Sequence, residues 1–263
     1  MSETPLLVTD NVSVSYGGIQ GLDGVSITIP QSGFVAVLGP NGAGKTTLVR
    51  AISGLLDHHD GKVISGSISF DGKDITNQDS AQVVGQGIAH VPEGRMLFAA
   101  LTVNENLLLG ATTRKDGKAA IEAHMEELYE LFPSIKDRRS EKAGLLSGGE
   151  QQMVAVARAL IAQPRLLICD ELSLGLAPQL VAQLFGTLGS LHKAGTAILA
   201  IEQNARIALA HAEYAYVLES GSVALSGSSA ELRASNEIQE RYLGGSAGSS
   251  SAPDEQSPLH KEV

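Results

Sequence analysis

The apolar positions of this chain follow two different periods, and the change between them divides it. Val12-Ser13-Val14-Ser15-Tyr16 alternates strictly and predicts a strand, ended by Gly17-Gly18. Val25-Ser26-Ile27-Thr28-Ile29 alternates again and is closed by Pro30. Phe34 to Leu38 is continuously apolar, the pattern of a parallel strand covered on both faces. A helix is predicted from about Lys45 to Leu55. Ser67-Ile68-Ser69-Phe70 with Asp71-Gly72 predicts an antiparallel hairpin. From about Gly94 to Pro164 the spacing is mostly helical, with helices at Val103 to Leu109, Ala119 to Phe132 and Gly148 to Ala162. Strand, helix and strand then return at Leu166 to Cys169, Gln179 to His192 and Ala197 to Ile201. Tyr214 to Leu218 and Ser222 to Leu225 close the sheet. The whole reads as an α/β core interrupted by a helical insert. From Gly244 the chain is dominated by Gly, Ser, Ala, Pro and charges, which predicts a disordered tail over 244–263.

Two glycine-rich motifs sit at the joints of this pattern. Gly39-Pro40-Asn41-Gly42-Ala43-Gly44-Lys45-Thr46 follows the apolar strand and opens the first helix. It fits G-x-x-x-x-G-K-[ST], a loop whose backbone N–H groups close around phosphate oxygens while the helix N-terminus adds positive potential. Lys45 is then expected to reach the β- and γ-phosphates and Thr46 to ligate Mg²⁺. Asp170-Glu171 follows a second apolar strand. An acid there is expected to hold Mg²⁺, and the next one to polarise a water in line with the γ-phosphate. Leu146-Ser147-Gly148-Gly149-Glu150 scores as a capping box from Ser147 to Glu150. A cap does not need two glycines in the first turn, where they cost helix stability. They make sense where a ligand approaches the backbone closely, and that ligand needs a partner chain to complete its site.

Composition narrows the setting. The chain has 263 residues, 43 % of them apolar, and a formal net charge of −10, which argues against a nucleic-acid partner. The one cysteine, Cys169, lies in an apolar run and reads as a small buried hydrophobe. Met1-Ser2-Glu3-Thr4 carries neither basic nor apolar character, so no signal peptide is expected. No run approaches the roughly 18 apolar residues of a membrane helix, so any membrane role is expected through a partner. His58-His59 beside Asp57 and Asp60 reads as an exposed loop rather than a metal cluster.

The paired motifs make the chain resemble the ATP-binding cassette (ABC) ATPases over residues 5 to 243. The resemblance implies an α/β P-loop NTPase core of the RecA-like kind, with an antiparallel β subdomain and a helical insert. One ATPase domain over 1–243 is expected, with its core at about 1–93 and 165–243 and a helical subdomain at about 94–164. In that family two cassettes meet head to tail, and each ATP lies between one chain's phosphate loop and the other's signature, here Ser147, Gly148, Gly149 and Glu150. The resemblance further implies that Tyr16 stacks on adenine, that Thr47 joins the loop's nucleotide contacts, that Asp170 binds Mg²⁺ and that Glu171 is the general base.

A narrower resemblance, to cassettes that energise branched-chain amino acid uptake, rests on four segments. They are Val91-Pro92-Glu93-Gly94-Arg95, Leu101-Thr102-Val103-Asn104-Glu105-Asn106-Leu107, Ser173-Leu174-Gly175-Leu176-Ala177-Pro178 and Ile201-Glu202-Gln203-Asn204-Ala205. It implies a second ATPase subunit, identical or different, two transmembrane permeases, an external solute-binding protein acting indirectly, and a peripheral place on the cytoplasmic face of the membrane. ATPases of urea or short-amide importers look similar and stay open as an alternative, as does a regulatory cassette. Against the general pattern this chain has Glu93 where a glutamine is usual near the metal, Gln203 in place of the switch histidine, and Ala177 in place of an aspartate. These departures are usual in the branched-chain subgroup. Leu172 stands where a proline is normal, which frees φ and restores an N–H beside Glu171. Met96-Leu97-Phe98 follows Glu93 in a segment that contacts the membrane subunit in relatives.

Overall fold

The computed structural model describes residues 4–235 and residue 238, so the predicted tail over 244–263 lies outside the described residues. Strands β1 (Leu7–Tyr16) and β2 (Ile19–Ile29) form a hairpin across Gly17-Gly18, with Tyr16 opposite Ile19. Both run longer than their alternating stretches, because register shifts after Thr9 and Val12 interrupt the period. Strand β3 (Phe34–Leu38) is buried at every residue and delivers the chain through the glycine loop into α1 (Lys45–Ile52). Helix α1 stops before the expected Leu55 because Ser53 caps it and Gly54 turns left-handed against the backbone at Gln78 and Asp79. His58-His59 falls in a 3₁₀ turn that leads into β4 (Gly61–Phe70). β4 pairs with β5 (Lys73–Asp74) through Asp71 and Gly72, both left-handed, as a two-residue hairpin turn requires.

Helix α2 (Ser80–Gly85), capped by Asp79, precedes β6 (Ile88–Val91). Neither was legible in the pattern, since each spans about one turn or one pleat. The insert holds α3 (Val103–Gly110), α4 (Lys118–Leu131), α5 (Pro133–Lys136) and α6 (Gly148–Leu160). Then follow β7 (Leu166–Asp170), α7 (Pro178–Lys193), β8 (Ala197–Glu202), α8 (Ala205–His211), β9 (Tyr214–Glu219), β10 (Ser222–Ser228) and α9 (Ser229–Ala234).

Two sheets result. One is antiparallel in the order β2-β1-β4-β5, and the other runs β10-β9-β3-β8-β7-β6 with parallel pairing from β9 to β6. The central strands divide their side chains between two hydrophobic cores. Phe34, Ala36, Leu38, Leu167, Cys169, Ile198 and Ala200 face the core shared with the helical insert. Val35, Val37, Leu166, Ile168, Leu199 and Ile201 face the core shared with the antiparallel sheet and α1. Burial on both faces explains why these strands read as continuous apolar runs, each large side chain contributing about 1.5–3 kcal/mol.

Helix α3 packs tightly against the end of α6 at Gly110, where an added Cβ would lie 1.9 Å from the Arg158 carbonyl oxygen and 2.5 Å from Ile161 Cγ2. Gly110→Ala is therefore expected to destabilise the fold by about 1–3 kcal/mol. Urea unfolding checks this, and an unchanged midpoint would contradict the packing argument.

Candidate functional site

Strand register brings the chemistry to one edge. Leu38 pairs with Glu202, Asp170 with Ile201 and Val91 with Cys169. The carboxyl ends of β3, β8, β7 and β6 therefore present Gly39, Gln203, Asp170-Glu171 and Glu93 side by side. Ligands of open α/β sheets bind at such an edge. A cleft of about 720 Å³ opens there, lined among others by Tyr16, Asn41, Gly42, Gly44, Lys45, Thr46, Thr47, Glu93, Glu171 and Gln203.

The glycine loop is built by close approaches. A Cβ on Gly39 would sit 2.4 Å from the Leu218 carbonyl oxygen, and Gly44 has φ +104 against the Gly21 carbonyl. Ala43 is buried beneath the loop. Lys45 is 4 % exposed, and its Nζ donates to the carbonyls of Gly39 (2.9 Å) and Pro40 (3.1 Å). The same ammonium lies 3.3 Å from Glu171 Oε1. The cation is therefore shared between the loop and the acid.

Glu171 has φ +48, a strained conformation for a non-glycine residue, fixed by its N–H donating to the Ile201 carbonyl at 2.9 Å. Gln203 Nε2 donates to Glu171 Oε2 at 2.7 Å. Gln203, which stands in place of the switch histidine, thus orients the acid through its amide. Leu172 is buried in the core beside the insert, so the residue standing in for proline is a packing residue. Ser173 donates twice to Glu202, from N at 3.1 Å and from Oγ at 2.6 Å. Burial pushes the Glu202 carboxyl up to about 7, against the pull of those Ser173 bonds and with help from Glu171 and Asp170.

Asp170 opens onto an adjoining cavity of about 760 Å³ that also reaches Thr46, Glu93, His90, Arg50, Met96 and Phe98. Burial, then Glu171 and Glu93, push its carboxyl up to about 6, with Lys45 and Arg50 opposing. Thr46, Asp170 and Glu93 thus offer a hydroxyl and two carboxylates to one space. Such hard oxygen donors suit Mg²⁺, which typically takes one or two carboxylates plus substrate phosphates. Among the described residues no group of three or more His, Cys, Asp and Glu gathers as a metal cluster, His58-His59 included.

Tyr16 rests between two glycines that the sequence reading missed. An added Cβ would meet its ring at 2.9 Å from Gly21 and 2.5 Å from Gly61. Its Oη donates to Thr47 Oγ1 at 3.4 Å. The signal was a glycine at the first residue of β4, opposite Tyr16 in register.

The signature does not line this cleft. Ser147 caps α6: Ser147 Oγ accepts from Glu150 N at 3.3 Å, and Glu150 Oε2 accepts from Ser147 N at 2.8 Å. Arg138 Nε holds the other carboxylate oxygen at 2.8 Å. At Gly149 an added Cβ would lie 2.4 Å from Leu180 Cδ1. Packing of α6 on α7 within the chain thus also favours a small residue there, since a larger one would have to displace the Leu180 side chain. At Gly148 the nearest atom is Arg95 Nη2, 3.0 Å from an added Cβ. Arg95 in turn donates to Gln151 Oε1 at 3.2 Å, and Arg158 donates to the carbonyls of Met96 (2.8 Å) and Arg95 (3.3 Å). The segment after Glu93 is thereby tied to the signature helix.

The phosphate loop after β3 closes on a buried lysine, the acid pair stands beyond β8 at the end of β7, and the glycine-rich helix start is capped apart from both, the arrangement of a nucleotide-binding ATPase cassette. The chain matches the ABC transporter family over residues 22–173, and it belongs to that family. It is 41 % identical over 241 residues to the high-affinity branched-chain amino acid transport ATP-binding protein BraG of Pseudomonas aeruginosa, covering 91 % of this chain and 100 % of that one. It is 32 % identical over 240 residues to the lipopolysaccharide export system ATP-binding protein LptB of Haemophilus influenzae, covering 91 % and 97 %. A solved ATP-binding cassette of an ABC transporter in its ADP conformation superposes with a TM-score of 0.80 at 28 % identity, covering 92 % of this chain and 99 % of that one.

Glu202 makes the fold pH-sensitive in a definite direction. Its carboxyl rises from 4.5 to about 7 on folding, so between those values the native state keeps a proton that the unfolded chain has lost. Stability from this group is present below pH 4.5 and falls as pH rises to about 7, by on the order of 3 kcal/mol. Glu202→Gln is expected to lose this component. Thermal melts of both proteins from about pH 5 to about pH 8 test it. Parallel curves would refute it.

Proposed function

We propose that this chain is the ATP-hydrolysing subunit of an importer for branched-chain amino acids, working with a second cassette and two transmembrane permeases at the cytoplasmic face of the membrane. The observation that carries the catalytic half is Lys45 held jointly by the loop carbonyls and Glu171, with Gln203 orienting the acid. The transport half is supported by the likeness to BraG, nearer than that to the exporter subunit LptB.

In this reading adenine stacks on Tyr16, and the triphosphate lies in the loop from Gly39 to Thr47. The N–H groups at the start of α1 face the phosphates. Lys45 leaves Glu171 for the β- and γ-phosphates. Thr46, Asp170 and Glu93 would hold Mg²⁺, whose charge offsets that on the β- and γ-oxygens. Freed of Lys45, Glu171 accepts the proton of the attacking water as its oxygen bonds the γ-phosphorus and the bond to ADP breaks. Ser147, Gly148 and Gly149 of a second cassette close over the γ-phosphate from the other side.

Among the described residues no helix is long and apolar enough to cross a membrane. Coupling therefore runs through a surface. Met96 is 68 % and Phe98 55 % exposed on the cavity that also touches Asp170 and Glu93. A short permease helix docked there would sense the metal side of the nucleotide.

Glu171→Gln is expected to lower turnover by about 10²–10⁴-fold and to accumulate an ATP-bound dimer on gel filtration. Unaltered turnover would end the assignment of Glu171 as base. Cells lacking the gene should lose uptake of labelled leucine but not of labelled urea, restored by wild type and not by Lys45→Ala. Loss of urea uptake alone would move the chain to amide transport, and loss of neither would overturn the importer reading.

A further inference from the structure

His90 has no part in the chemistry above, yet it stands beside it. It lies inside β6, in register with Ile168 of β7, two residues before Asp170. Its Nε2 is buried, has no hydrogen-bond partner and lies 4.0 Å from Asp170 Oδ2. A buried polar atom left unpaired costs free energy, so one aimed at a functional carboxylate calls for a reason. At 4.0 Å the pair falls short of a hydrogen bond, and about 1 Å of carboxylate movement closes it. The other charged or titratable groups on this cavity are Glu93, Arg50, Arg158 and His59. None of them pairs with Nε2.

We propose that His90 is a positioning residue for the cation site: its Nε2–H donates to Asp170 Oδ2 and holds that carboxylate in the orientation that serves Mg²⁺. Hydrogen-bond partners of metal-ligating groups typically tune metal affinity by about 10–100-fold. The inference rests on the reading that Asp170 and Thr46 hold Mg²⁺.

The test is the Kd of a fluorescent ATP analogue for the full chain, measured with Mg²⁺ and with EDTA; their ratio reports cation coupling without turnover. Asp170→Asn controls the metal reading. His90→Ala and His90→Met remove the donor, the latter keeping volume, and His90→Gln keeps a donor. Melting curves identify which variants are folded, and the comparison uses those. The expected result is a ratio about tenfold smaller in the donorless variants, an unchanged Kd in EDTA and recovery with Gln. A wild-type ratio in the donorless variants, while Asp170→Asn abolishes it, overturns the role of His90 alone. A ratio unmoved by Asp170→Asn overturns the metal reading and the inference together. Equal effects of Gln and Met, or a weaker Kd in EDTA, reduce His90 to a packing residue and also overturn it.

Discussion

The buried ammonium of Lys45 is the constraint around which the site is organised. An ammonium taken out of water is costly unless it is fully solvated by the protein. Here two carbonyls of its own loop and one oxygen of Glu171 supply that solvation. The loop must therefore curl tightly, which forces glycine at the contact with Leu218 and at the left-handed turn before α1. The same ion pair links the end of β3 to the end of β7. A triphosphate entering the cleft competes for the cation, and the acid it displaces is the one needed to receive a proton.

Around that cation the edge is crowded with carboxylates: Glu93, Asp170, Glu171 and Glu202. Burial, and then their mutual repulsion, raises Asp170 and Glu202. Such a cluster stores an electrostatic demand for positive charge that Lys45 and Arg50 meet only in part. The demand fits a site that takes up its ligand together with a cation. It also fits the tethering of two of these acids by neutral donors: Gln203 on Glu171, Ser173 on Glu202.

Much of this was legible in the sequence because it depends on local rules. The apolar runs at Phe34 to Leu38 and Leu166 to Cys169 marked strands buried on both faces, and the residues just after them are the site. The glycine loop needed its own spacing and little else. What escaped was tertiary. β6 is four residues long and carries His90 in the middle, so no period announced it. Gly21 and Gly61 matter because Tyr16 lies between them, with Thr47 also close to Gly21. Gly149 was read as room for a ligand, and its contact with Leu180 of α7, thirty-one residues further along the chain, is visible only in the fold. Leu172 was read for its missing ring, and its importance is the side chain it buries.

The central claim, that Glu171 and the triphosphate compete for Lys45, is tested most directly by a double-mutant cycle on nucleotide affinity. ATP binding would be measured in EDTA, at subunit concentrations too low for pairing, in wild type, Glu171→Ala, Lys45→Ala and the double variant. The account expects Glu171→Ala to tighten ATP several-fold when Lys45 is present and to have no effect when it is absent. The same factor in both backgrounds, or weaker binding without Glu171, would contradict it.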